Sequence, residues 1–460
     1  MSNWKLGELA RAAEAEVHGG VLFEVTAVGT DTRSLPPNSL FVALRGDRFD
    51  GHNYVATAVK AGAVAAVVDR RGFAALVDSP LPLLVVDDTL YALGAIAQYV
   101  RRLRGQVAAV TGSNGKTTTK ELLAAALGAH GEVHKTAGNF NNLIGLPLTV
   151  FSWPQRAWAA VLEMGMNAPG EIARLTEIAE PNVGLITNVG PAHLEGLGSI
   201  ENVARAKGEL YAGLPTGAVA VLNADDEMVR NICAPLAGSR TQLWFGRAPQ
   251  ADVRVVRQEP QSGGSVVILA IDGGEIEVDL PLFGAHNAQN AAGAAATAFA
   301  MGIAPDDIAK SMGEVSIPGG RMRVLENTEL GVRVIDDTYN ANPASMRASF
   351  ATLVEVSDGR KVAVLGDMFE LGETAPELHE QVGRAAADCG IDWVLALGEH
   401  APHVVKGARA GGAKAKAFSD IEELFVELDG GLREGDLVLV KGSRGMRTER
   451  VVAHLQRERD

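Results

Sequence analysis

At 460 residues the chain is longer than one hydrophobic core usually supports, and three units of about 150 residues are the simplest division. Its 47% hydrophobic and 21% charged residues, with 52 glycines, exclude a disordered or fibrous chain and fit an α/β protein. A formal net charge of -14 excludes broad binding to nucleic acid or anionic membranes, so any phosphate site must be local and purpose-built.

Two cysteines, Cys233 and Cys389, lie far apart without metal-ligand spacing, which argues against a disulfide or a structural zinc and suits a reducing compartment. Residues 1–10 lack a basic segment leading into an apolar run, and no stretch approaches the roughly 20 apolar residues of a membrane span. The expectation is a cytoplasmic protein with no membrane span.

In chain order, residues 1–104 alternate apolar runs at 39–44 and 63–68 with helical stretches such as 53–61, predicting a small α/β domain. The basic, polar segment 101–106 interrupts this pattern and reads as a boundary. From 105 to 317, strands at 107–110, 157–162, 183–187 and 218–222 between helices predict a parallel sheet, with catalytic loops at the strands' C-terminal ends. Residues 252–282 read as antiparallel hairpins turned by Ser262-Gly263-Gly264 and Gly273-Gly274, and 287–300 as a helix. The turn Ile317-Pro318-Gly319-Gly320 begins a third unit, 318–460, where strands at 332–335, 361–365, 393–397 and 437–440 predict a Rossmann-like fold.

The sharpest motif is Val110-Thr111-Gly112-Ser113-Asn114-Gly115-Lys116-Thr117-Thr118, between a strand and a helix. Its glycines let the backbone turn so that N–H groups from Gly112 to Thr118 and the helix N-terminus face phosphate oxygens. Lys116, expected as an exposed loop lysine, supplies charge to the β/γ-phosphates, and Thr117 can place its hydroxyl on magnesium. Val110 stands where the usual spacing has its first glycine, yet strand and helix context make this an ATP site. Glu163, at the end of the strand over 157–162, offers a carboxylate to the same metal. His193, on the turn after the strand over 183–187, faces the same crevice and can ligate a second metal as a neutral imidazole.

The ordered set 111–118, Glu163-Met164-Gly165, Asn188-Val189-Gly190-Pro191-Ala192-His193-Leu194-Glu195 and Ala206-Lys207-Gly208-Glu209 resembles the Mur ligase family. The resemblance implies an ATP-dependent ligase using Mg2+, with Lys207 carbamylated and helping to hold metal. A solvated helix lysine is the alternative at that position. It also gives Asn287, in His286-Asn287-Ala288-Gln289-Asn290, the adenine contact, and Arg321 and Asp337 interdomain nucleotide and positioning roles. An amide can read a base edge, a guanidinium can bind phosphate, and a carboxylate can accept from ribose or orient a basic group.

Three segments narrow the resemblance to the MurF class: Gly138-Asn139-Phe140-Asn141-Asn142 with the residues to Pro147, the stretch 337–346 that includes Tyr339 and Asn340, and Leu365-Gly366-Asp367-Met368-Phe369-Glu370-Leu371-Gly372. The Asp-Asn-Pro-Arg sequence with which sister ligases recognise diaminopimelate is absent. The implied reaction joins D-alanyl-D-alanine to a UDP-N-acetylmuramoyl-tripeptide through an acyl phosphate. Thr32, Arg33 and Ser34 resemble part of the region that receives the UDP-linked substrate, and Asn139, Asn141, Asn142, Tyr339, Asn340, Ser443 and Arg444 join the substrate set. Catalysis falls to Lys116, Lys207 and His193, with closure about the 317–323 linker and a monomeric chain expected. Another Mur-type ligase, such as one extending folate with glutamate, and a P-loop switch are the rival readings. The switch lacks a guanine-reading Asn-Lys-x-Asp motif.

Overall fold

Apolar strands without alternation must be covered on both faces, and this rule sets the layout of the central sheet. The computed structural model describes residues 3–46, 48–191, 194–327 and 329–457; of Leu194, Glu195 and Asn327 it describes only the backbone. Among these residues, a nine-stranded central sheet has the order Val133–Lys135, Ala159–Glu163, Gln106–Thr111, Val183–Ile186, Val219–Asn223, Thr241–Gly246, Val253–Gln261, Gly264–Ile271 and Gly274–Leu280. The first seven are parallel to their neighbours, and the last two add as antiparallel hairpins. Two hydrophobic clusters sandwich the sheet. One contains Val107, Leu162 and Ile186; the other contains Val110, Leu123 and Ala292.

The strand Gln106–Thr111 lies between Ala159–Glu163 and Val183–Ile186, so its C-terminal end opens between two crossovers that leave in opposite directions. Ligands of open α/β sheets bind at such switch points. The helix Lys116–Gly128 starts there, and the alanine-rich helix Ala285–Ala300 packs beside it because its small side chains allow close approach. All four strands expected in this unit are present, and short strands at 133–135 and 241–246 extend the sheet.

The N-terminal sheet has the order Glu16–His18, Leu83–Val86, Ala63–Asp69, Ser39–Val42, Ala27–Gly29, with only its first strand antiparallel. The C-terminal sheet runs Arg323–Asn327, Val332–Asp337, Leu437–Lys441, Lys361–Gly366, Trp393–Leu397, Lys414–Phe418, again with one antiparallel edge strand. The architecture is therefore α/β with three sheet-based units.

The basic stretch read as a boundary engages the central unit through its side chains. Arg101 and Arg102 close the helix Thr89–Arg102 and reach into the central unit. The Arg101 guanidinium donates to the carbonyls of Ala179 and Glu180 at the end of the helix Glu171–Ala179, the latter at 2.9 Å, and Arg102 pairs with the Glu180 carboxylate. Cations at a helix C-terminus meet its unpaired carbonyls and the negative end of its dipole.

Candidate active site

Glycine is required twice in the loop after Thr111. Gly112 (φ 149°) lies so close to Thr187 that a Cβ would come within 1.9 Å of its hydroxyl, and at Gly115 (φ 80°) a Cβ would meet the Asn290 side-chain oxygen at 2.3 Å. Both positions combine positive φ with a blocked side-chain direction, which other residues do not tolerate. Asn188 fixes the loop between them: its Oδ1 accepts from the Asn114 N–H (2.9 Å), its Nδ2 donates to the Asn114 carbonyl (3.0 Å), and its own carbonyl accepts from the Ser113 N–H (2.9 Å). Ser113 Oγ exchanges hydrogen bonds with Gly190.

Lys116 is not the exposed lysine expected from its loop position. It is half-buried, and its ammonium folds back onto the carbonyls of Gly112 (2.8 Å) and Ser113 (3.4 Å). Burial lowers its pKa, with the nearby Glu163 carboxylate opposing that shift. Thr117 Oγ1 donates to Glu163 Oε2 at 2.8 Å, Asn141 Nδ2 donates to Oε1 at 2.9 Å, and the Glu163 N–H is held by Thr136 Oγ1. A buried carboxylate thus stands beside the hydroxyl that begins the helix, and two adjacent hard oxygen donors suit Mg2+, which takes few protein ligands beside substrate phosphates.

Lys207, in the helix Ile200–Gly213, is buried rather than a solvated helix lysine. Burial, reinforced by the charge of Lys116, holds its pKa well below the usual lysine range. Nearby Cys233 is pushed up to about 12 by burial. His193 lies outside the described residues, and among those described no cluster of three or more His, Cys, Asp or Glu side chains could hold a metal.

The other wall comes from the central helix 285–300 and the C-terminal unit. Asn287 is buried, donating to the Phe283 carbonyl (2.8 Å) and accepting from Asn290 (3.0 Å). Arg321 lies over the Tyr339 ring at 3.8 Å, its Nε buried without a hydrogen-bond partner among the described residues, and burial lowers its pKa. Asp337 accepts from Lys441 Nζ (2.5 Å) and Ser349 Oγ (2.7 Å), and Lys441 also donates to the Asn340 carbonyl (3.0 Å). Asn342 caps the helix Pro343–Val356 and donates to Asn114 Oδ1 at 2.6 Å, tying that helix to the phosphate loop.

These groups line one cleft of about 850 Å³. Residues 113–118, Glu163, Asn139, Asn141, Asn142, Asn287, Arg321, Asp337, Tyr339, Asn340, Ser443 and Arg444 all border it; Thr32, Arg33, Ser34 and Lys207 do not. The Arg33 side chain instead pairs with Asp31 at 2.6 Å and, through that hydrogen bond, holds the Asp31 carboxyl down to about 2. Sequence reasoning assigned no individual role to Asn188, Asn290 or Asn342. Each lies within or beside a segment it quoted, but the pairings become visible only when the sheets assemble.

Fold and cleft together define a nucleotide-binding α/β protein whose phosphate loop is covered by a Rossmann-like unit. Three family profiles match in chain order: "Mur ligase family, catalytic domain" over 24–101, "Mur ligase middle domain" over 110–298 and "Mur ligase, glutamate ligase domain" over 320–444. A UDP-N-acetylmuramoyl-tripeptide--D-alanyl-D-alanine ligase of Bacillus subtilis is 38% identical over 438 residues, covering 94% of this chain and 93% of its own. MurF from Acinetobacter baumannii has a TM-score of 0.92 at 33% identity with both chains fully covered. MurF from Thermotoga maritima, in complex with ADP, has a TM-score of 0.83 at 30% identity, covering 94% of this chain and 97% of its own. The chain belongs to the Mur ligase family.

Proposed function

We propose that the chain joins D-alanyl-D-alanine to UDP-N-acetylmuramoyl-tripeptide at the expense of ATP, making the muramoyl-pentapeptide precursor of peptidoglycan. One observation carries the reading: the Asn342–Asn114 hydrogen bond closes phosphate loop, strand end and C-terminal turns around a single cleft, as a three-substrate ligase requires. Full-length similarity to ligases of that name supports it.

In this mechanism the γ-phosphoryl group passes to the tripeptide's terminal carboxylate, releasing ADP and leaving an acyl phosphate. The dipeptide amine then attacks the acyl carbon, and the tetrahedral intermediate collapses to the amide and inorganic phosphate. No protein nucleophile is needed, so positioning and electrostatics supply the catalysis. Loop N–H groups from Gly112 to Thr118 cradle the phosphates, and Lys116 moves its ammonium from the Gly112 carbonyl to the β/γ-oxygens. Asn287 contacts the base, Arg321 binds phosphate, and Asp337 orients Lys441. Magnesium would be held by Thr117, Glu163, His193 and a carbamylated Lys207, and would neutralise charge on the phosphates.

For Lys207 the reading is that its neutral amine adds to carbon dioxide, forming a carbamate and releasing a proton. Only a neutral amine reacts, and the buried, depressed lysine supports that chemistry. Residues 1–104, 105–317 and 318–460 act as UDP-substrate, ATP and dipeptide-side domains, with Thr32, Arg33 and Ser34 serving a UDP-linked substrate long enough to reach beyond the cleft. Asn139, Asn141, Asn142, Tyr339, Asn340, Ser443 and Arg444 complete the substrate set. The protein acts as a cytoplasmic monomer on small molecules, and no helix among the described residues is long and apolar enough to cross a membrane.

The test is a matrix of UDP-muramoyl peptides against free amino acids and dipeptides, read by phosphate release and product mass. Turnover confined to the tripeptide with D-alanyl-D-alanine is expected. Efficient addition of a single amino acid to the dipeptide-stage precursor, or nucleotide-dependent partner binding without amine-dependent ADP release, would overturn the assignment.

A further inference from the structure

The segment 365–372 distinguished the class of ligase in the sequence, yet the mechanism above gives it no work. The strand Lys361–Gly366 ends at Asp367, whose buried carboxylate accepts from the N–H groups of Glu399 (2.8 Å) and His400 (3.1 Å). The chain then turns through four residues, three of which, Phe369, Glu370 and Leu371, border the cleft beside Tyr339, Ser443 and Arg444. Glu370 has φ 63°, a left-handed conformation that costs energy outside glycine and persists only where the surroundings hold it.

Two side chains from other elements do the holding. Ser443 Oγ accepts from the Phe369 N–H at 2.9 Å. His379, in the helix Ala375–Asp388, accepts from the Met368 N–H through Nε2 at 2.9 Å, while its Nδ1 donates to the Ala375 carbonyl at 2.6 Å. With both nitrogens committed, the ring must be the neutral Nδ1–H tautomer. It is 1% exposed and borders no part of the cleft, so it cannot touch substrate. Removing its acceptor would leave a buried N–H unpaired at the start of a strained turn.

We infer that His379 is a positioning residue for the incoming dipeptide, fixing the Met368–Leu371 turn as the wall that receives it. This rests on the ligase reading above. The turn lies on the same stretch of cleft as Ser443 and Arg444, and its residue Glu370 and the neighbouring Arg444, itself 3.6 Å from Glu449, give this wall both signs of charge, as a zwitterionic dipeptide requires of its surroundings. The nucleotide and the UDP-linked substrate meet other surfaces, so loosening this turn weakens one substrate and spares two.

The experiment compares His379→Leu with His379→Gln in the full chain. The leucine variant is expected to raise KM for D-alanyl-D-alanine tenfold or more with KM for ATP and for the UDP-linked tripeptide within twofold of the unaltered protein. Glutamine, whose side-chain oxygen can accept from Met368, should recover KM to within about threefold. An unchanged dipeptide KM, or a parallel loss across all three substrates, would overturn the inference. If the leucine variant does not fold, amide exchange over 367–372 in the unaltered protein decides. Slowing by the dipeptide but not by ATP supports the inference, and no slowing by the dipeptide refutes it. An unaltered protein that ligates no dipeptide rejects the ligase reading and this inference with it, a result distinct from an active protein indifferent to His379.

Discussion

Replacing Lys441 by methionine tests how the C-terminal unit tolerates charge beside the cleft. The Lys441–Asp337 pair is 2.5 Å long, with the two side chains 4% and 12% exposed. Methionine keeps most of the apolar stem but leaves Asp337 buried, with only the Ser349 hydroxyl still donating to it among the bonds described above. Removing one partner of a buried pair typically costs about 3–5 kcal/mol, because the stranded charge loses its compensation without regaining water. That range corresponds to an increase of roughly two to four powers of ten in local opening, at about 1.4 kcal/mol per factor of ten. Amide exchange in peptides spanning 332–337 and 437–441 measures the opening directly, and it avoids treating a multidomain protein as two-state. The double variant Asp337→Asn with Lys441→Met removes both charges and should recover all but about 1–2 kcal/mol, since neutral replacements of buried pairs are often tolerated. A Lys441→Met effect below about 1 kcal/mol, or a double variant no better than the single, would refute the reasoning.

Lys116→Ala should lower kcat by on the order of 10²–10³, the usual cost of deleting one transition-state electrostatic contact, with circular dichroism unchanged; retained turnover rejects its role at the phosphates. His193→Ala, argued from sequence alone, should weaken activity in a way that excess magnesium partly relieves, because a lost ligand lowers metal occupancy. A magnesium titration identical to that of the unaltered protein would point to a structural histidine. Lys207→Ala should be nearly inactive and partly restored by short carboxylic acids, which can occupy the place of the carbamate. Activity independent of bicarbonate, together with an unmodified Lys207 in a metal- and nucleotide-bound crystal, would sink the carbamate while leaving the phosphate loop's assignment intact.

The parts of this molecule that sequence reveals are those whose physics is local. Apolar runs bounded by glycine and proline located the strands at 183–186 and 393–397, because a fully buried strand advertises itself without reference to partners. The phosphate loop was equally legible, since the positive φ of its glycines is a local backbone requirement, although the Thr187 and Asn290 contacts that block a Cβ there are not. Short edge strands such as Val133–Lys135 and Lys414–Phe418 were not, being polar and defined by the neighbour they pair with. The burial of Lys207 depends on a helix packing its lysine face inward, and the side chain alone gives no hint of that. Thr32, Arg33 and Ser34 were grouped with the substrate set by resemblance; the fold sets them away from the cleft, a separation no local pattern encodes.

Arg101 and Arg102 give the chain two unequal joints. At the first, a charged pair seated on the carbonyl end of a neighbouring helix acts as a rivet between the N-terminal and central units. At the second, the chain passes from the helix Pro305–Gly313 to the strand Arg323–Asn327 through irregular backbone. Beyond that crossing the Asn342–Asn114 contact ties the C-terminal unit back to the phosphate loop, so the chain passes the cleft twice, once through irregular backbone and once through a side-chain hydrogen bond.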